Sequence, residues 1–429
     1  MKKLFFLLAM CLLMAACSSQ PDEPQMAELP ETDGQSDYLT PTEACEIASD
    51  AFDNFFKGTA DATPSSRSAR SAYAHFYQSD ALSRSQSPSL YVVDFEEGGF
   101  AVVNAHRNAS TQIYAVVEKG QFDDSDNPGL KYYMAYAEER AAADYVKRAN
   151  SSRGIGVLPP LEIKKDKLIN SDVCLRKGRS EWDRRAPYNN KCAFMPNSTE
   201  RYPVSTLAVS LGSLVADIKY RNGNLKTESF RDGKVYTFHW DEMLEFSTID
   251  YLTEVGQEDI CTLLDYFNSF DTSYLNEKGD FISHELVPEA IQNIIGLSHW
   301  FTTPTIFKHG TTIEDIYNNI LAIGTAQLMY AEEADKTVGD VWLVEGAKID
   351  TYQRDSPSID GSVPGEIYDM PYLYFNWCLG GRSNGWYYYS TVWIEYYNND
   401  ESTGKDDPNI IGECYTKNIL SILDVEFKN

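Results

Sequence analysis

The chain has 429 residues, 43% of them hydrophobic and 13% aromatic, enough material for two or three packed domains. Its formal net charge of −27 at pH 7 would repel nucleic acid and anionic lipid, so neither is an expected partner. The eight cysteines are scattered without CxxC spacing, so no zinc site, and no other cofactor, is expected.

Residues 1–17, MKKLFFLLAMCLLMAAC, join a short basic start (Lys2, Lys3) to an apolar run that ends in small residues. This is the pattern of a secretory signal, too short for a membrane span. Ala15-Ala16-Cys17 resembles a bacterial lipobox, with Met14 where leucine is usual. The expectation is an exported lipoprotein of the outer membrane or cell surface, lipidated on Cys17 and touching membrane only through that lipid. A plain signal peptide is the alternative. Residues 18–36 are polar, lack an apolar period and suit a flexible tether. Six cysteines then remain (Cys45, Cys174, Cys192, Cys261, Cys378 and Cys414), and sequence does not pair them.

Residues 37–148 read as a small α+β domain. Thr40-Pro41-Thr42-Glu43 is a capping box with proline at the first helical position. Ala44, Ala48, Phe52 and Phe55 follow at helical spacing, and Gly58 is a stop. Residues 58–88, rich in Ser, Ala and Arg, read as a loop. Two apolar runs, 89–96 and 100–105, flank Glu97-Gly98-Gly99 and predict a hairpin. Residues 113–118 predict a third strand, and the spacing of Tyr133, Ala137, Ala141 and Tyr145 predicts a helix over 132–146.

A basic linker, 149–179, comes next. The wider stretch 147–185 holds 11 of the chain's 37 basic residues, a place where a trypsin-like enzyme would cut. Five motifs follow in the final region, 180–429. They are Trp182-Asp183-Arg184-Arg185-Ala186-Pro187-Tyr188-Asn189, the segment PVSTLAVSLGSL over 203–214, and YTFHWDEM over 236–243. GDVWLVEG over 339–346 and FNWCLGGRSNGW over 375–386 complete the series.

These motifs, in this order, resemble the streptopain family of papain-like cysteine peptidases. The stretch 89–128 is similar to that family's propeptide, which also occurs alone as an inhibitor module (Spi). The resemblance implies an α+β protein: a papain-like fold preceded by a small propeptide-like domain. It also implies a helical half that carries Thr206 and a strand-rich half that carries Asp340 and Asn376. In the family the propeptide blocks the cleft until it is removed.

The chemical positions depart from the pattern. Thr206 stands where the family has its cysteine, Asp340 where it has histidine, and Arg184 where a glutamine donates to the oxyanion. Asn376 and Trp377 match. A cysteine at a helix start is acidified by the dipole and a neighbouring histidine. A threonine hydroxyl is not, and threonine nucleophiles use their own free N-terminal amine. A carboxylate with an ordinary pKa near about 3.9 is a poor general base at neutral pH. None of the six histidines falls in the G-x-x-W motif.

No catalytic residue is therefore assigned. The reading is a monomeric pseudopeptidase that binds a polypeptide ligand or a peptidase. The alternative is an active cysteine endopeptidase made as a zymogen, with Cys378 the first candidate nucleophile. Arg184 and Asp340, a cation and an anion brought to one cleft, are expected to pair beside Thr206.

Overall fold

The computed structural model describes residues 37–56, 68–75, 88–152 except 108 and 124–126, 167–221, 226–229, 235–269 except 248, 308–309, 312–332 except 325, 339–353, 365, 367–389 and 419–421. Cys17 and the tether lie outside these residues. All of them belong to one compact unit that begins at Asp37.

Helix α1 (Pro41–Phe56) starts at the predicted box. The Thr40 N–H donates to Glu43 Oε2 at 2.8 Å, and the Glu43 N–H returns a bond to Thr40 Oγ1 at 3.3 Å. Arg107 also donates to Glu43 and holds its carboxyl below the ordinary value. The predicted hairpin and third strand form as β2 (Leu90–Phe95), β3 (Phe100–Asn104) and β4 (Ile113–Val117). Part of the expected loop 58–88 is instead strand β1 (Ala69–His75), paired with β2. Its small alanines carry little apolar period, so tertiary pairing decides the strand. Helix α2 (Pro128–Ser152) begins four residues before the apolar pattern does. Strand β5 (Lys167–Leu175) occupies part of the expected linker and pairs antiparallel with β10 (Gly339–Gln353).

The second region supplies helix α3 (Thr206–Arg221), the hairpin β6 (Lys226–Ser229) and β7 (Val235–Phe238), and the short α4 (Trp240–Met243). Helix α5 (Glu254–Asn268) follows, capped by the Thr253 side chain. Then come β8 (Lys308–His309), α6 (Ile313–Ile323), β9 (Gln327–Glu332), β10, β11 (Ile367–Asn376), β12 (Gly385–Tyr388) and β13 (Ile419–Ser421). Helix α3 is buried from Thr206 through Ile218, the mark of a helix packed on all sides.

One antiparallel sheet of eleven strands runs β1-β2-β3-β4-β12-β11-β10-β9-β13-β8, with β5 added on β10. Strands of the first region and of the last are therefore neighbours in a single ladder, joined where β12 pairs β4. The α+β expectation holds, with Thr206 in the helical part and Asp340 and Asn376 in the sheet.

Strand β10 divides the interior. Val341 and Leu343 pack into a cluster with α3 and α5. Trp342 and Val344 pack on the opposite face with α1, α2 and the first-region strands. This is the period-two alternation of a strand buried on both faces.

The β4–β12 junction is tight. A Cβ on Gly385 would lie 2.7 Å from Val117 Cα. Gly385→Ala is expected to cost about 1–3 kcal/mol, the range for overpacking a close-packed interior, read as a lower urea midpoint at unchanged slope.

Candidate functional site

The family's positions all fall in buried places. Arg184 is 7% exposed, Thr206 1%, Asp340 2%, Asn376 3% and Trp377 1%. They belong to four elements, and each is held by different partners.

Arg184 lies in the segment before α3. Its carbonyl accepts from the Val204 N–H at 2.8 Å, and its Nε donates to the Val204 carbonyl at 2.8 Å. The guanidinium thus lies against the chain just ahead of Thr206. Helix α3 is capped by Ser205, whose Oγ accepts from the Ala208 N–H at 3.1 Å. Thr206 Oγ1 has no hydrogen-bond partner among the described residues. No base among the described residues is hydrogen-bonded to it.

Asp340 opens β10 on the face shared by Trp342. Its Oδ2 accepts from the Gly129 N–H at 3.0 Å, and its Oδ1 from the Val341 N–H at 3.0 Å. Gly129 is the second residue of α2. Asn127 caps the same helix through Oδ1 on the Leu130 N–H at 3.0 Å, and Pro128 has no N–H. Asp340 thus satisfies the one early amide of α2 that its own capping residue does not reach, and places a carboxylate at the positive end of the helix. The bonds seen at the two residues expected to pair run to backbone: Arg184 to the Val204 carbonyl, and Asp340 to the Gly129 and Val341 N–H groups. The Gly129 amide reaches Asp340 from 211 positions away in sequence.

Asn376 closes β11 opposite Leu343. Its Nδ2 donates to Glu345 Oε1 at 2.8 Å and weakly to the Ser180 carbonyl at 3.4 Å, while its Oδ1 accepts from the Cys378 N–H at 3.0 Å. Trp377 donates from Nε1 to the Ser383 carbonyl and to Tyr387 Oη, both at 3.0 Å, and its ring centroid lies 4.8 Å from that of Trp342. Gly129 fits between this ring and Asp340: a Cβ there would lie 2.7 Å from Trp377 Cε3 and 3.1 Å from Asp340 Oδ2. Asp340 and Trp377 are thus brought to one spot.

Cys378 is 1% exposed and at hydrogen-bond distance (3.3 Å) from Ser210 Oγ. Burial pushes its thiol up to about 12, which leaves almost no thiolate near neutral pH. Burial likewise raises Cys192 and Cys261 to about 11. Cys45, Cys174, Cys192, Cys261 and Cys378 are unpaired thiols.

Residues that the motifs did not single out complete the arrangement. Glu345 is skipped in the β10–β11 register between Val344 and Gly346, a bulge that turns its side chain inward. It is 1% exposed. Its carboxyl is pushed from 4.5 up to about 7, chiefly by burial and against the Asn376 and Gly178 bonds, with Lys177 also lowering it and Asp217 raising it. The signal for Gly129 is Asn127-Pro128, a helix start at the very end of the stretch 89–128. No group of His, Cys, Asp and Glu among the described residues is arranged to hold a metal ion.

Residues 36–141 match the family model described as Spi protease inhibitor. The N-terminal module is Spi-like. Two solved structures match parts of the chain. One is a prointerpain A fragment of Prevotella intermedia with a cysteine changed to alanine: 15% identity, 80% of this chain and 98% of that one, TM-score 0.45. The other is the active interpain A cysteine protease of the same organism: 14% identity, 54% and 90% coverage, TM-score 0.32. No curated protein matches the sequence.

The folded chain keeps the Glu345 proton at pH values where the unfolded chain has lost it. That contribution is complete below about pH 4.5 and is lost as pH rises through about 7. Glu345→Gln retains an acceptor for Asn376 and does not titrate. Urea unfolding from about pH 5 to about 8 should show the parent losing stability relative to the variant, by about 3 kcal/mol at most.

Proposed function

We propose that this protein is a catalytically degenerate streptopain-like lipoprotein, carried at the cell surface on a lipid at Cys17, that binds a polypeptide or a peptidase without cutting it. The observation that carries the loss of chemistry is the pair of replaced positions. Among the described residues the buried Thr206 hydroxyl has no hydrogen-bond partner, and both carboxylate oxygens of Asp340 accept backbone N–H groups. Removing nucleophile and base together leaves only residual catalysis in enzymes of this kind. Among the described thiols, the first candidate, Cys378, is buried and held protonated near neutral pH.

Binding is proposed from what is retained. The Spi-like match and the motif series relate the chain to papain-like protease zymogens, whose business is polypeptide. The lipid anchor rests on the Ala15-Ala16-Cys17 junction. No helix among the described residues is long and apolar enough to cross a membrane.

Two measurements test these points. Purified 18–429 in reductant should leave an unfolded protein substrate uncut, with or without a thiol alkylator. Cleavage abolished by alkylation would overturn the reading and name a cysteine nucleophile. In cells, radiolabelled palmitate should enter the protein and be lost in Cys17→Ser. Equal labelling of the two would remove the anchor.

A further inference from the structure

We propose that the Spi-like module is a permanent half of this protein, latched at Asp340, so that cutting the linker yields a two-chain protein and frees no module. This goes beyond the loss of chemistry and would hold even if the site were active.

A removable propeptide has to leave behind a surface that water can cover. Here the two regions share one sheet and one core. In the ladder, Val116 pairs Trp386 and Val117 pairs Gly385. Just beyond it, the Glu118 N–H donates to the Asn384 carbonyl and the Ser383 N–H to the Lys119 carbonyl, both at 3.2 Å. Two ion pairs extend the seam, Lys119 to Glu181 at 2.6 Å and Lys177 to Glu118 at 3.0 Å. Departure of the module would strip β12 of a neighbour and expose a strand edge.

The helices add to this. The Tyr133 hydroxyl of α2 lies between two carbonyls, that of Tyr114 at 2.6 Å and that of Tyr388 at 3.1 Å, and its ring is 4.7 Å from Tyr387. Phe55 of α1 meets Tyr372 edge-on at 4.7 Å, and the Lys348 ammonium lies 3.9 Å from the Phe55 ring centroid. Lys348 is itself buried and paired with Asp350 at 2.8 Å. Without the module, Trp342, Phe375, Trp377 and Tyr387, none above 2% exposed, would lose the α2 side of their packing. Asp340 would lose the Gly129 N–H, leaving a carboxylate in an apolar setting one donor short. A module so held is also not available to inhibit a peptidase in trans.

The test is physical separation. A site-specific protease sequence is inserted after Gly156, and the native protein is cut there. Gel filtration should return both fragments in one peak at the elution volume of the intact chain, and urea should separate them. An N-terminal fragment eluting alone in native buffer would overturn the proposal. Asp340→Asn tests the latch, because its amide turns an N–H₂ towards one of the two N–H donors. The dissociation constant of the cut pair should rise by about tenfold or more. An unchanged dissociation constant would overturn the assignment of Asp340 as the latch. Neither readout depends on proteolysis, so this proposal and the degenerate-site reading fail separately.

Discussion

A carboxylate 2% exposed has to be met by donors, and Asp340 meets the start of a helix from the other end of the chain. Most of the arrangement depends on that contact. It fixes α2 against β10, which sets Gly129 between Asp340 and the Trp377 ring. It also explains why aspartate can stand where the family resemblance expects histidine. A neutral imidazole has one acceptor nitrogen, whereas a carboxylate accepts both the Gly129 and the Val341 amides. The helix dipole favours the anion. The change from base to capping group is thus a change of partner as well as of residue.

Strand β10 carries the consequence through the molecule. Its two faces belong to different clusters, with α3 on one and the Spi-like module on the other. Its edges receive β11 on one side and β9 and β5 on the other. The bulge at Glu345 interrupts this regularity once and delivers a second buried acid to Asn376. Asn376 is therefore retained with a different task. In the family it orients a histidine; here it ties β11 to Glu345 and closes the turn to Cys378.

What was legible in the sequence was local or periodic. The capping box at Thr40 and Glu43 needs only four residues, and it forms as read. The hairpin around Gly98 and Gly99 is legible because both glycines take positive φ, at 88° and 85°. Strand β5 was not legible: KLINSDVCL shows no period-two alternation and is exposed over seven of its nine residues, and only the free edge of β10 makes it a strand. At the site, the motifs located Arg184, Thr206, Asp340, Asn376 and Trp377, all buried. They said nothing of partners. Opposite charges at Arg184 and Asp340 suggested each other as partners, and nothing in the motifs announced the backbone groups that meet them: the Val204 carbonyl for the cation, two amides for the anion. Residue types at aligned positions reveal which chemistry is missing; they do not reveal what the replacements hold.

Cys378 makes the same point from the opposite direction. It looks like a spare nucleophile beside the site, and the family has glycine in its place. The backbone explains the glycine, because this residue has φ 59°, in the left-handed region. A side chain there costs roughly 1–2 kcal/mol. The thiol offsets part of that through Ser210 Oγ and by filling space between α3 and β10. Asn376 Oδ1 accepts from the Cys378 N–H and helps to set the turn. Small size and apolar surroundings suit it to that structural position, and the same surroundings hold its thiol protonated. A cysteine placed to support a strained turn is thereby withheld from chemistry by the burial that makes it useful.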